Sequence, residues 1–290
     1  MFYLTETKNL DEKTRSEFSG DFVELTSGVT RYEVSGPEDG EPLIFIHGFS
    51  VPYYLWDKNF SYMAKKGFRV VRYDLFGRGG SDRPNTPYNI ELFRNQLKEL
   101  LITLNLDKKP INICAVCMGS IIASDYICHN KKNIGKLALI GPAGIPGSIP
   151  NYNWMAKIPI WGDYLMQIWG DQELVSGLKK HLYRPELFPE YKDEYLHSLD
   201  FKGLKRALLS TNRNMNIDNA LKLYSELNKL KKDICLIWGI EDRIVPIRLS
   251  AKLTETLAKA TVKTVTEAGH VANYEQSQKV NKILLDFFSK

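Results

Sequence analysis

The run Ile113-Cys114-Ala115-Val116-Cys117-Met118-Gly119-Ser120 passes from an apolar stretch into a small-residue turn and then into helix-forming sequence, with a cysteine at the turn. A thiol there has two readings. It fills space, or it is a nucleophile raised at a helix N-terminus, where unpaired N–H groups and the helix dipole favour an anion. Further along, Trp238-Gly239-Ile240-Glu241-Asp242 supplies carboxylates and Ala268-Gly269-His270 an imidazole, each just after an apolar run. A free thiol ionises near pH ~8.5 and more readily beside a histidine, so such a set is equipped for nucleophilic attack on an acyl carbon.

Those residues need elements to hold them. Short apolar runs at Leu43–Ile46, Phe68–Tyr73, Ile111–Val116, Leu137–Ile140, Ile234–Trp238 and Val262–Val265 alternate with amphipathic stretches. That alternation is the signature of a parallel sheet with crossover helices. Ahead of it, Phe22–Leu25 and Thr30–Val34 flank Ser27-Gly28 as an antiparallel hairpin. Ile90–Leu106 spaces Leu92, Phe93, Leu97, Leu100, Leu101 and Leu104 at helical intervals, and Ser250–Leu257 and Ser277–Phe288 repeat the pattern. The alternation breaks at about Ala143, where GPAGIPGSIP opens a segment rich in aromatics and charges, and resumes after Lys232. The expected organisation is a core from residues 1–142 and 233–290 with a helical insertion at 143–232.

Other motifs fall at the ends of the same runs. The first parallel run closes in His47-Gly48-Phe49-Ser50; the next ends in Asp74 and is followed by Gly77-Arg78-Gly79-Gly80-Ser81-Asp82-Arg83-Pro84. Taken in order with the cysteine turn, the WGIED run and the AGH run, they resemble the α/β-hydrolase family over nearly the whole chain outside the insertion. The resemblance implies an α/β fold: a mostly parallel, doubly wound eight-stranded sheet with an inserted helical cap. It maps the family's nucleophile, acid and base, in the family's chain order, to Cys117, Asp242 and His270. It also implies an oxyanion hole from the backbone N–H groups of Phe49 and Met118. Two positions depart from the family's elbow: Ala115 stands where it carries its first glycine, and Cys117 where it carries serine.

On this mapping His270 takes the thiol proton and later protonates the leaving group, while Asp242 holds the imidazole tautomer. The reaction is hydrolysis of a carboxylic ester through an acyl-Cys117 intermediate, with thioester or lactone hydrolysis and acyl transfer as neighbours. Halide or epoxide displacement, which in this family resembles a carboxylate-nucleophile mechanism, does not suit a thiol. A ligand-binding protein on a hydrolase scaffold is the reading from a different class; tight retention of a covalent adduct would mark it.

The rival residues have plainer uses. His47 orders the turn, His129, His181 and His197 sit in polar contexts at the surface, and Asp125 points down the helix after Cys117. Glu241 is the alternative acid. Gly77–Gly80 is a structural turn, since no lysine follows as in a phosphate-binding loop. Cys114-x-x-Cys117 is a poor redox pair because Cys114 falls inside a strand. Neither HExxH nor paired C-x-x-C occurs, so neither metal nor other cofactor is required.

Bulk properties set the remaining bounds. In 290 residues, 39 basic and 34 acidic side chains are scattered without a basic stripe, which excludes a nucleic-acid partner. No window holds the ~18 apolar residues of a membrane span. The charged start MFYLTETKNLDEKTRSEF lacks a signal-peptide apolar core, so the cytoplasm is the expected location. The cysteines lie in or beside apolar runs, as reduced thiols do. No obligate protein partner is evident. Trp154, Trp161 and Trp169 fall in the insertion, and Trp161, Leu165 and Trp169 recur at i, i+4, i+8 as one helix face. They are the expected lining for a small-to-medium hydrophobic ester substrate.

Overall fold

The computed structural model describes residues 5–148 and 158–289. Eight strands form one sheet in the order β1-β2-β4-β3-β5-β6-β7-β8. They are β1 Asp21–Leu25, β2 Gly28–Ser35, β3 Pro42–Ile46, β4 Arg69–Tyr73, β5 Ile111–Val116, β6 Ile134–Ile140, β7 Ile234–Gly239 and β8 Thr261–Val265. β2 runs antiparallel to β1 and β4, and every other neighbour is parallel. The parallel sheet expected from the apolar runs is therefore present, mostly parallel and eight-stranded as the resemblance implies.

The runs become central strands because both their faces are covered. All residues of β3, β5 and β7 are buried. Alternate side chains divide between two cores, as the two-residue period of a strand demands. Phe45, Cys114, Val116 and Ile237 face α1 (Asp57–Lys65) and the C-terminal helix Ser277–Phe288. Ile44, Ile113, Ala115 and Trp238 face α2 (Ile90–Thr103), α3 (Met118–His129) and Ser250–Thr256. The edge strand β8 differs, with four of its five residues exposed. Asn89 caps α2, its side chain accepting from Leu92 N at 3.0 Å.

Among the described residues three α-helices lead on from β6 into the insertion, α4 (Trp161–Leu178), α5 (Pro189–Leu199) and α6 (Leu204–Asn214), α4 packing on both of the others. Next comes α7, Leu221–Lys229, which corrects the expected boundary at residue 232. α7 packs on α3 and buries Tyr224 and Leu227 in the core on that sheet face, so it is the crossover between β6 and β7. The chain leaves the core and returns at paired stems, Gly144 N to Ile217 O at 3.0 Å and Ala220 N to Gly144 O at 2.7 Å. A crossover helix and a cap helix have the same period, so their border carries no sequence mark. The N-terminal segment also sits on the insertion. The Glu6 carboxylate accepts from Gly203 N and Lys205 N, both at 2.7 Å, at the start of α6.

Candidate active site

Cys117 occupies the turn between β5 and α3 with φ +53° and ψ −121°. That backbone is unfavourable for a side-chain-bearing residue by roughly 1–3 kcal/mol, and it is sustained by the surrounding hydrogen bonds. Cys117 N donates to Ile140 O at 3.0 Å, and Cys117 O accepts from Ser120 N and Ala143 N at 3.0 and 3.2 Å. The turn is tight enough that a Cβ on Gly119 would stand 2.5 Å from His47 O and 2.7 Å from Ile46 O. Cys114, in contrast, is buried within β5, where desolvation pushes its thiol well above the ordinary range.

Asp242 follows β7 and His270 follows β8. Asp242 Oδ2 and His270 Nδ1 are 2.9 Å apart, with the two side chains 0% and 3% exposed. Asp242 Oδ1 is held by Ile244 N at 2.8 Å and Val245 N at 2.9 Å, so both carboxylate oxygens are committed. Glu241 is occupied elsewhere, accepting from Ala268 N at 2.9 Å. Burial alone would lower the proton affinity of His270. The Asp242 carboxylate and the Cys117 thiol outweigh it, and the imidazole pKa is raised well above its usual value. His270 Nε2 is buried without a hydrogen-bond partner among the described residues. The structure thus brings Cys117, Asp242 and His270 together.

Gly48 lies against Cys117: a Cβ there would be 3.2 Å from Cys117 Cβ and 3.9 Å from its sulfur. The next residue, Phe49, and Met118 border the same cavity, and neither backbone N–H has a partner among the described residues. Two features hold this loop. His47 Nε2 accepts from Leu75 N at 2.9 Å, so Nδ1 carries the proton toward Gly48 O at 3.0 Å. Burial keeps that ring neutral, its pKa lowered to about 4. Arg78 is fully buried and donates to Phe49 O at 2.8 Å, Phe76 O at 3.0 Å and Thr211 Oγ1 at 2.9 Å. Nothing in the Gly77–Gly80 turn marked Arg78 as the link between the Phe49 loop and α6.

A cavity of about 340 Å³ opens over Cys117 and His270. Val51, Leu55 and Val245 line it from the core, and Leu174, Tyr191 and Ile217 from the insertion. A larger open groove of about 630 Å³ lies at the strand starts, beside Pro42, Phe68 and Asn112, away from Cys117 and His270. Ligands of parallel sheets gather at the other end, beyond the strand C-termini.

The expected aromatic lining is corrected. Trp161 and Trp169 are 66% and 52% exposed and do not border the cavity. Trp154 lies outside the described residues. α4 instead presents Leu174 and Gly177, further along and on another face, to the cavity. His181 is a second correction. It is half-buried, lines the cavity, and has its ring centroid 6.1 Å from that of His270. Its surroundings in sequence, Lys179-Lys180-His181-Leu182-Tyr183-Arg184, gave no signal of this. His129 and His197 do lie toward the surface, their side chains 55% and 36% exposed. Among the described residues no cluster of three or more His, Cys, Asp or Glu is set to hold a metal ion, and no helix is long and apolar enough to cross a membrane.

The model of a protein family described as the alpha/beta hydrolase fold matches residues 41–277. The AB hydrolase superfamily protein YisY of Bacillus subtilis (strain 168) is 24% identical over 92% of this chain and 98% of its own length. Monoacylglycerol lipase ABHD6 of Bos taurus is 22% identical over 89% of this chain and 78% of its own. Among solved structures, the enol-lactonase from Burkholderia xenovorans LB400 superposes with a TM-score of 0.79 at 21% identity, covering 93% of this chain and all of its own, a likeness of fold.

Proposed function

The chain belongs to the α/β-hydrolase fold family, and from that premise we propose that it cleaves carboxylic esters of small-to-medium hydrophobic substrates through an acyl-Cys117 intermediate. The observation that carries the reading is the buried Asp242–His270 pair, with Nε2 left unpartnered in a site whose other reactive group is the Cys117 thiol. His270 Nε2 accepts the thiol proton, and the sulfur attacks the ester carbonyl carbon. The carbonyl π electrons move onto oxygen, where the N–H groups of Phe49 and Met118 receive the negative charge. As the carbonyl re-forms, the carbon–oxygen bond to the alcohol breaks, and His270 gives its proton to the departing oxygen. Water, losing a proton to His270, then attacks the thioester and releases the acid and the thiol. Asp242 takes no proton in these steps. It keeps Nδ1–H pointed at itself and stabilises the imidazolium.

The cavity's aliphatic lining, Val51, Leu55, Leu174, Ile217, Val245 and Val271, favours an apolar acyl or alcohol part. Lactones and thioesters pass through the same steps. Cys114, Cys117, Cys128 and Cys235 are all free thiols, which suits a reducing compartment such as the cytoplasm.

Intact-mass spectrometry after brief exposure to activated esters tests the function. The expected result is an acyl adduct on Cys117 that decays with time and is missing in Cys117→Ala. Ester turnover by Cys117→Ala at the rate of the unaltered chain overturns the proposal.

A further inference from the structure

The segment that carries His181 is fastened by its backbone to the loop that carries His270. Val271 N donates to His181 O at 3.2 Å. The Glu275 carboxylate accepts from Tyr183 N, Arg184 N and Gly269 N at 2.9, 2.7 and 2.8 Å. A Cβ on Gly269 would be 2.6 Å from His181 O and 2.8 Å from Tyr183 N, so the two strands of chain are in contact with no room between them. His181 is therefore placed as firmly relative to His270 as a residue of the catalytic loop itself.

Its ring is also oriented. His181 Nδ1 and the hydroxyl of the buried Tyr191 are 3.0 Å apart, which leaves Nε2 as the ring's other polar atom, and the side chain borders the cavity. Burial, reinforced by the neighbouring His270, lowers the His181 pKa to about 3. The ring is thus a neutral hydrogen-bonding group at working pH.

We propose that His181 is a substrate-binding residue whose Nε2 hydrogen-bonds a hydroxyl on the alcohol part of the ester, so that hydroxyalkyl esters are preferred over alkyl esters of the same acid. This rests on the ester-hydrolase reading above. His270 must deliver its proton to the departing alcohol oxygen, so a ring beside it lies on the alcohol side of the scissile bond, away from the oxyanion. A hydroxyl both donates and accepts, and it suits either tautomer of a neutral imidazole. A carboxylate or an ammonium group would call for a charged partner, which a neutral ring is not. Leu174, Ile217 and Val271 of the lining offer no side-chain hydrogen bond; the charged Glu173, Lys180 and Arg243 border the same cavity, and His181 is the neutral imidazole among them.

The test compares propyl and 2-hydroxyethyl esters of one straight-chain acid on the unaltered chain and on His181→Gln, His181→Asn and His181→Leu. Glutamine places its amide where Nε2 sits and asparagine where Nδ1 sits, so the two variants separate the cavity-facing edge from the Tyr191-facing edge. One neutral hydrogen bond is worth roughly two- to tenfold in an equilibrium constant. The hydroxyethyl-to-propyl ratio of kcat/KM should fall by about fivefold in the Leu and Asn variants, mainly through KM, and be retained by Gln. Equal losses on both esters, or a ratio retained by Asn and lost by Gln, overturn the proposal. If the Leu variant does not fold, the Gln and Asn pair decides. The same preference is read without turnover as the Kd ratio of the two matching ketones, a methylene replacing the ester oxygen, on Cys117→Ala with and without His181→Asn. Neither ester hydrolysed, with the hydroxyl-bearing ketone bound more tightly, overturns the hydrolase reading and supports the His181 subsite. Both esters hydrolysed equally by the unaltered chain overturns the subsite alone.

Discussion

His270 Nδ1 sits 2.9 Å from Asp242 Oδ2, both side chains almost wholly buried. Burial opposes protonation of His270, and Asp242 with Cys117 reverses that, so its folded pKa stands above its unfolded one. A raised folded pKa adds stability that is fully present below the unfolded value, about 6.5, and is lost as pH rises through the folded value. Denaturant unfolding should therefore show the advantage of the unaltered chain over His270→Gln shrinking as pH rises above the unfolded value of about 6.5. An advantage that grows with pH contradicts the assignment. Asp242→Asn leaves the burial but removes the main opposing charge, and by analogy with serine triads it should lower kcat by about 10⁴-fold.

Thiol labelling follows from burial. Desolvation holds Cys128 and Cys235 at about 11, and Cys114 well above its ordinary range. Cys117 borders the cavity. Iodoacetamide near neutral pH should modify Cys117 at least about tenfold faster than the other cysteines, since only the thiolate reacts. Peptide mapping by mass spectrometry reads the outcome, and uniform labelling of the native protein counts against an activated Cys117.

At Gly119 a side chain would meet the backbone oxygens of His47 and Ile46, atoms that have nowhere to move. Gly119→Ala is therefore expected to destabilise the fold by about 3 kcal/mol, the upper end for overpacking, and to displace the elbow. Thermal unfolding and ester turnover should fall together. A fully stable, fully active variant would show that the turn is looser than the contacts imply.

Arg78 holds the Phe49 carbonyl without touching the cavity, so on the proposed mechanism its loss should disturb the loop proposed to receive the oxyanion more than substrate binding. Arg78→Lys keeps a charge but not the three-way fork. The expected outcome is kcat reduced at least about tenfold with KM changed less than about threefold, as for an interaction felt mainly in the transition state. A change confined to KM would assign Arg78 to the substrate instead.

The cavity and not the exposed tryptophans should set chain-length preference. Each buried methylene contributes about 0.8 kcal/mol, roughly fourfold, until the 340 Å³ space is full. Across nitrophenyl esters from acetate to laurate, kcat/KM should peak at a medium chain. Leu174→Ala should move the peak to longer acids, and Trp161→Ala or Trp169→Ala should leave it in place. A shift caused by either tryptophan variant would place that face over the substrate after all.

The strands were legible in the sequence as apolar runs, and the order Cys117, Asp242, His270 came from the resemblance to the α/β-hydrolase family; a parallel sheet brings its strand ends to one edge whatever the surrounding detail. The border of the cap was not legible, since Leu221–Lys229 has the same helical period as the cap helices and only its packing on Met118–His129 makes it a crossover. Nor was the lining. Periodicity tells which residues of Trp161–Leu178 share a face but not which way that face turns, and the turn was decided by contacts distant in sequence. Glu241 stood in the sequence as the alternative acid, and only the tertiary contacts separate the two: Ala268 N occupies Glu241, while Asp242 lies against His270. His181 is the extreme case. Only the stitching of its backbone to the Gly269–Val271 loop, through Val271 N and Glu275, carries an ordinary-looking surface histidine to within 6.1 Å of the His270 ring.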